Sequence, residues 1–415
     1  MKYLIIAVVF LILPSTLFSQ QRFDLDVYAS RFDSIPIGIV DFSSTNDLEV
    51  ERNAPWEVVA SDFDFSGRFH VVSTPEYDSA LFIDNGVGIY IDGEYTIEGD
   101  NITIECYLRD VATRNLIIGK KYSGDVRFLR NMAHRYANEV VEMLFGERGI
   151  FESKIVFVRT EGARKNIAIM DFDGHNQKLL TNTNVINIFP KFSDNNNILW
   201  SSYQRGKPDI FRGSITDGAH EIFIYNRAMQ VSPSVSRIDG TIAFGCSRAG
   251  TLDIYTANAD GSNVRRLTVT RGIDTSPSWS PNGRQIAFTS DRSGRPQIYI
   301  MDADGANQER VTFEGRYNDA PAWSPRGDKI AYVSMGLGGR FDIWTVSPDG
   351  SDHFQVTKDM RGSNEYPTWA PDGSLIAFTS IVGDRSDLYV IRPDGSNLRR
   401  VTTSGDVGMP DWSDF

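Results

Sequence analysis

The stretch "PSWSPNGRQIAFTSDRSGRPQIYIMDADGANQERVT", residues 277–312, decides the fold. A short segment ends in Trp279-Ser280, and Pro281-Asn282-Gly283 turns the chain into "QIAFTS", which alternates as a strand. "SDRSGRP" loops to a further strand, "QIYIMD", Asp304-Gly305 turns again, and "QERVT" makes a fourth. The opening Pro-x-large motif recurs as Pro190 with Phe192, Pro233 with Val235, Pro277 with Trp279, Pro321 with Trp323, Pro367 with Trp369 and Pro410 with Trp412, in steps of 43 to 46 residues. An independent marker, Asp followed by Gly at Asp173, Asp217, Asp260, Asp304, Asp349 and Asp394, keeps the same period. Four strands in roughly 44 residues is the spacing of a propeller blade, which cannot cover both sheet faces alone and must stack on its neighbours. The Trp, Pro and Ile-Ala-Phe positions are therefore expected to pack blade on blade.

The first copy, "KIVFVRTEGARKNIAIMDFDGHNQKLLT", has three strands and no motif before it, while the chain ends in "MPDWSDF". The missing innermost strand of blade one is thus predicted to come from the carboxyl end. That closure gives a six-bladed β-propeller with no open sheet edge.

Residues 20–149 lack the repeat and read as a small α/β domain, so the chain is multi-domain, with the propeller over residues 150–415. "IPIGIVDF" is predicted as a buried strand, "APWEVVASDFDFSG" as a helix ending at Gly67, and "FHVV" as a second strand. "GIYIDGEYTIEGDNITIECYLRDVATRNLIIGKKYSG" alternates through three strands, and "RFLRNMAHRYANEVVEMLFGE" has the three-and-four spacing of an amphipathic helix. Residues 1–19, with Lys2 before the apolar run Tyr3 to Leu13, have the layout of a secretory signal peptide, so export to the periplasm is expected.

The chain of 415 residues carries a net charge of −12, which argues against nucleic acid or anionic lipid as its main partner. No later stretch has the roughly 18 uninterrupted apolar residues of a membrane helix. Cys106 and Cys246 are expected to be free, buried thiols.

In a four-stranded antiparallel blade, the turns joining strands one to two and three to four share one face. Here these are nearly identical Pro-x-Gly and Asp-Gly turns, which points to a structural role. The opposite face varies, with "RAMQVS", "RGIDTS", "RYNDA", "GSNEY" and "GDVGM" entering the inner strands, and variation on a fixed scaffold is where specificity resides. Gln230, Asp274, Thr275, Asn318, Asp319, Asn364 and Glu365 are expected to ring the mouth on that face.

The order of parts, a leader, "RFDLDVYASRFDSIPIGIVDF", an α/β region ending in a long helix, then six Asp-Gly repeats beginning "IAIMDFDGHNQKLLT", resembles the TolB family of the Tol-Pal system, as does "FTSDRSGRPQIY". The resemblance implies a non-catalytic periplasmic adaptor without cofactor, serving outer-membrane integrity and constriction at cell division. It implies binding of Pal, the peptidoglycan-associated lipoprotein, at the propeller mouth, with other outer-membrane lipoproteins as further candidates. It also implies TolA binding through the segment after the leader, here Arg22, Phe23, Asp24, Leu25, Asp26, Val27 and Tyr28.

Other chemistries fit less well. "DFDG" and "DADG" do not continue into a calcium loop ending in Glu, the five histidines lack metal-ligand spacing, and no Gly-x-Ser-x-Gly occurs. The alternative that stays open is a secreted propeller holding a small ligand, glycan or cation in a polar funnel that includes Asn318, Asp319, Asn364 and Glu365.

Overall fold

The computed structural model describes residues 34–45, 54–225, 227–336 and 338–414. The α/β region begins with β1 (Ile35–Val40) and the two-residue β2 (Ser43–Ser44), followed by α1 (Pro55–Ser66) and β3 (Phe69–Thr74). Next come α2 (Ser79–Asp84), β4 (Ile89–Glu98), β5 (Asn101–Asp110), β6 (Leu116–Asp125) and α3 (Leu129–Phe145). The sheet runs β3-β1-β4-β5-β6, parallel across β3, β1 and β4 and antiparallel thereafter. Helix α1 starts with Pro55, whose missing N–H costs nothing in a first turn, and stops at Gly67, which adopts the left-handed conformation (φ 64°) of a helix C-cap. The strands and long helices follow the sequence expectation, whereas α2 and β2 were not anticipated; one turn and two residues are too short to show a period.

The propeller consists of six four-stranded sheets. In blade one the inner strand Val407–Trp412 pairs antiparallel with Lys154–Glu161, so the carboxyl end closes the ring as the repeat count predicts. The remaining inner strands are Asn187–Phe192, Gln230–Val235, Asp274–Trp279, Asn318–Trp323 and Ser363–Trp369, in blades two to six. Each outermost strand has only two or three residues, which leaves little free edge.

All six inner strands break register at the same place. In blade four Thr275 pairs with Thr289 and Ser278 with Ala287, so Ser276 and Pro277 together oppose Phe288 alone. The other blades repeat this two-against-one bulge, opposite Phe157, Trp200, Phe244, Tyr332 and Phe378. Proline suits the bulge because the extra residue owes no ladder hydrogen bond. The residue before it takes positive φ in every blade: Phe189, Ser232, Ser276, Ala320, Tyr366 and Met409, between 51° and 57°. The opposing aromatics are buried and form the centres of the inter-blade cores.

Two further repeats tie the ring together. The residue after the proline commonly reaches the next blade: Ser234 Oγ accepts from Trp279 N (3.4 Å), Ser278 Oγ from Trp323 N (3.0 Å), and Asp411 Oδ2 from Phe192 N (2.8 Å), whereas Lys191 reaches back to Asp411. Ala322 cannot accept through its side chain, and its carbonyl instead receives Trp369 Nε1 at 2.9 Å. Within blades, a threonine two residues beyond the outer strand sits under the third strand. Thr312 accepts from Ile298 N at 3.0 Å and donates to Gln297 Oε1 at 2.9 Å, with Thr357 and Asp342, and Thr402 and Asp387, doing the same.

Both cysteines are buried, and neither forms a disulfide among the described residues. No helix among the described residues is long and apolar enough to cross a membrane.

Trp412 is 3% exposed and its Nε1 donates to Ser153 Oγ at 2.8 Å. Trp412→Ala is expected to lower unfolding free energy by about 3–5 kcal/mol, and deletion of residues 409–415 by more, because a sheet edge is bared. Urea unfolding followed by tryptophan fluorescence checks this, and a deletion variant that unfolds like the parent contradicts the closure.

Candidate functional site

Along each inner strand, alternate residues turn to opposite sides. The first turns into the blade, the second lies beside the channel, and the bulge residue with its proline forms the channel's waist. Pro190, Pro233, Pro277, Pro321, Pro367 and Pro410 line that waist around a cavity of about 160 Å³.

This alternation corrects part of the expected mouth. Gln230, Asp274 and Asn318, the first residues of their strands, and Asn364, at the equivalent register after Ser363, are fully buried and are not mouth residues. Asn318 donates through Nδ2 to Gln297 Oε1 (2.8 Å) and to the Glu314 carbonyl (2.6 Å), and Asn364 to Asp342 Oδ1 (3.3 Å). Asp274 accepts from Arg292 at 3.1 Å and from Thr270 Oγ1 at 3.1 Å. Asn318 and Asn364 thus anchor their entering loops to the third strand of the preceding blade, and Asp274 ties its loop to Arg292, whereas the Gln230 amide is buried without a hydrogen-bond partner among the described residues. Polarity suggested solvent because their buried partners lie up to 22 residues away in sequence.

Thr275 and Asp319 occupy the second position, Glu365 the equivalent place in the longer strand of blade six, and all three are partly exposed. Asp319 accepts from Thr289 Oγ1 of the preceding blade at 2.7 Å and from the Tyr317 hydroxyl at 2.9 Å. Glu365 stands at the equivalent place one blade on, where Val333 occupies the position of Thr289 and offers no donor. Burial first, and the charge of Asp319 second, raise its carboxyl above the usual range. Burial together with Glu365 and Asp319 pushes the Tyr366 hydroxyl up to about 12. The floor of the mouth is thus acidic and partly desolvated. Arg22 to Tyr28, the residues implied for TolA, lie outside the described residues.

The other face is not inert. The α/β region docks on its turns over blades six and one. Arg68 pairs with Asp372 at 2.8 Å, Arg392 donates to the Gly67 carbonyl at 2.6 Å, and Asn397 Nδ2 to the Phe65 carbonyl at 3.0 Å. Phe65 meets Phe172 edge-on at 5.0 Å, and one apolar cluster runs from Val59 and Tyr136 through Phe151 and Phe172 to Leu375 and Trp412. The rest of this face opens into a cavity of about 610 Å³ lined by Trp279, Pro281, Trp323, Arg237 and Asp414 among others.

Under the junction lies a charge cluster that the sequence reading missed, since its members come from α1, α3 and the first Asp-Gly turn. His134 Nδ1 lies 2.8 Å from Asp62, and His134 Nε2, buried without a hydrogen-bond partner among the described residues, lies 4.0 Å from Asp173. These three groups are close enough to share a metal ion. Arg130, however, is paired with Asp173, and its guanidinium already supplies the positive charge there. Burial pushes Asp62 up to about 6, against the opposing bond and charge of His134. Burial acts the same way on Asp173, but the hydrogen bond from His175 and the charge of Arg130 outweigh it and hold the carboxyl at about 2.

These features define a class of molecule: a ring-closed six-bladed β-propeller with an α/β region docked on its turn face and a mouth left open on the loop face. The family model described as "TolB beta propeller domain" matches residues 141–415, so the chain belongs to the TolB β-propeller family. Over 285 residues it is 34% identical to "Tol-Pal system protein TolB" of Desulfosudis oleivorans, covering 64% of this chain and 65% of that protein. It is 37% identical over 215 residues to "Protein TolB homolog" of Chlorobaculum tepidum, 49% of each. The matched region thus spans about half to two-thirds of these relatives. The crystal structure of TolB from Acinetobacter baumannii superposes with a TM-score of 0.79 over 92% of this chain and 97% of that one, at 24% identity, a likeness of fold.

The junction predicts opposite pH effects from its two carboxylates. Asp62, raised to about 6 in the folded state, takes up a proton there before it does in the unfolded chain. Relative to Asp62→Asn, the wild type should therefore gain stability as pH falls from about 6 towards 4. Asp173 is depressed to about 2, so relative to Asp173→Asn the wild type should lose stability below about pH 4. Urea midpoints measured across pH 3 to 7, roughly the range these groups titrate, check both signs.

Proposed function

We propose that this chain is a non-catalytic periplasmic adaptor of the Tol-Pal system that holds Pal at the loop-face mouth and reaches TolA through the segment after its leader, supporting outer-membrane integrity during division. The observation that carries this reading is the placement of the α/β region on the turn face. It leaves free the end of the channel where the variable loops converge. Membership of the TolB β-propeller family, and the names of its relatives, point to the same system. The working residues are Thr275, Asp319 and Glu365, whose side chains border the channel, whereas Asp274, Asn318 and Asn364 hold the loops that present them and Gln230 is buried beneath. Arg22 to Tyr28 remain the proposed TolA segment, whose alternating apolar and charged residues suit strand addition to a partner.

Thr275→Trp should obstruct the mouth and weaken binding of soluble Pal at least about tenfold, because a few central contacts dominate such interfaces. Asn282→Trp, on the opposite face, should leave it unchanged. Calorimetric titration of both variants, after their melting temperatures are matched, checks this; the reverse pattern would place the working face at the other end. Removal of residues 21–33 should abolish TolA binding with the fold intact.

A further inference from the structure

The loop face carries charge unlike the rest of the chain. Arg227, Arg248, Arg271, Arg295, Arg316 and Arg361 all stand exposed on the loops surrounding the mouth, and none makes an ion pair among the described residues. Exposed cations outnumber exposed carboxylates on these loops about two to one, although the whole chain has a net charge of −12. Between them project apolar side chains: Val269 is 75% exposed, Tyr225 72%, Phe313 68% and Val382 55%. Scattered surface apolar residues mean little, but here they share one face and one collar. The floor inside the collar has the opposite sign. The Glu365 carboxylate makes no hydrogen bond or ion pair among the described residues, and Asp319 beside it is held only by neutral hydroxyl groups and a backbone N–H.

We propose that the mouth is a bipolar seat. It takes a partner whose rim is acidic and partly apolar and whose central loop delivers one basic side chain, Lys or Arg, to Glu365 and Asp319. The inference rests on the adaptor reading for the identity of the partner but not for its chemistry. The two charge layers do different work. Exposed arginines of the collar attract an acidic rim over a screening length of about 8–10 Å and speed association. The half-buried Glu365 gains a counter-charge only once the loop is seated, so it governs dissociation and rejects loops tipped with a carboxylate. The arrangement also explains why the floor bears a carboxylate without its own partner: the missing cation arrives with the ligand.

The test has two arms, both run in EDTA so that no metal ion stands in for the basic group. In the first, soluble Pal is titrated against the wild-type chain, Arg271→Glu/Arg316→Glu and Glu365→Gln at low and moderate salt. The expected result is affinity that falls with salt, association slowed about tenfold by the double variant, and dissociation accelerated about tenfold by Glu365→Gln. In the second, a fluorescent cyclic peptide with Lys at its tip and Asp on its flanks is compared with a Glu-tipped copy. The Lys-tipped peptide should bind at least about tenfold better, and Glu365→Gln should erase the preference. Salt-independent Pal binding that is indifferent to Glu365→Gln overturns the bipolar seat, as does a peptide pair bound equally. Discrimination between the peptides with no binding of Pal supports the seat and overturns only the adaptor reading.

Discussion

The two-against-one bulge at the proline of each inner strand is the constraint on which the rest of the molecule depends. It sets a buried aromatic of the second strand against two residues of the first, so the inner strand bends around the channel in the same way in every blade. The bend puts the prolines at the waist and the following residue within hydrogen-bonding reach of the next blade. It also fixes which side of the strand each mouth residue faces. Asp319 and Glu365 border the channel, while Asn318 and Asn364, one residue earlier, are buried.

The same geometry separates the two ends of the propeller. Short turns at one end leave flat ground on which an α/β region can dock through paired charges and a continuous apolar core. An interface in which Phe65, Phe151, Phe172 and Trp412 are all buried behaves like a domain core cut in half rather than like a hinge. The other end keeps its loops, and with them the freedom to carry a charge pattern of its own.

The ring was legible in the sequence because blades repeat: six prolines and six Asp-Gly turns fix period, blade number and closure without reference to any contact. The α/β strands and long helices were legible through their alternation, whereas α2, with six residues, gave no period. The mouth was only half legible. The variable loops marked out one face, but an exposed polar residue and one buried against Gln297 or Asp342 look alike until register is known. The cluster of Asp62, His134 and Asp173 left no local signal at all, because Asp62 and His134 meet only when α1 packs on α3, and Asp173 joins them only where the α/β region docks.

The most direct test of the account is amide hydrogen exchange on the intact chain with and without soluble Pal. Protection is predicted in the loops that enter the inner strands, at residues 269–275, 313–319 and 361–365. The turns at 281–284 and 325–328, on the other face, should exchange as before. Protection confined to those turns, with the loop face unchanged, would contradict it.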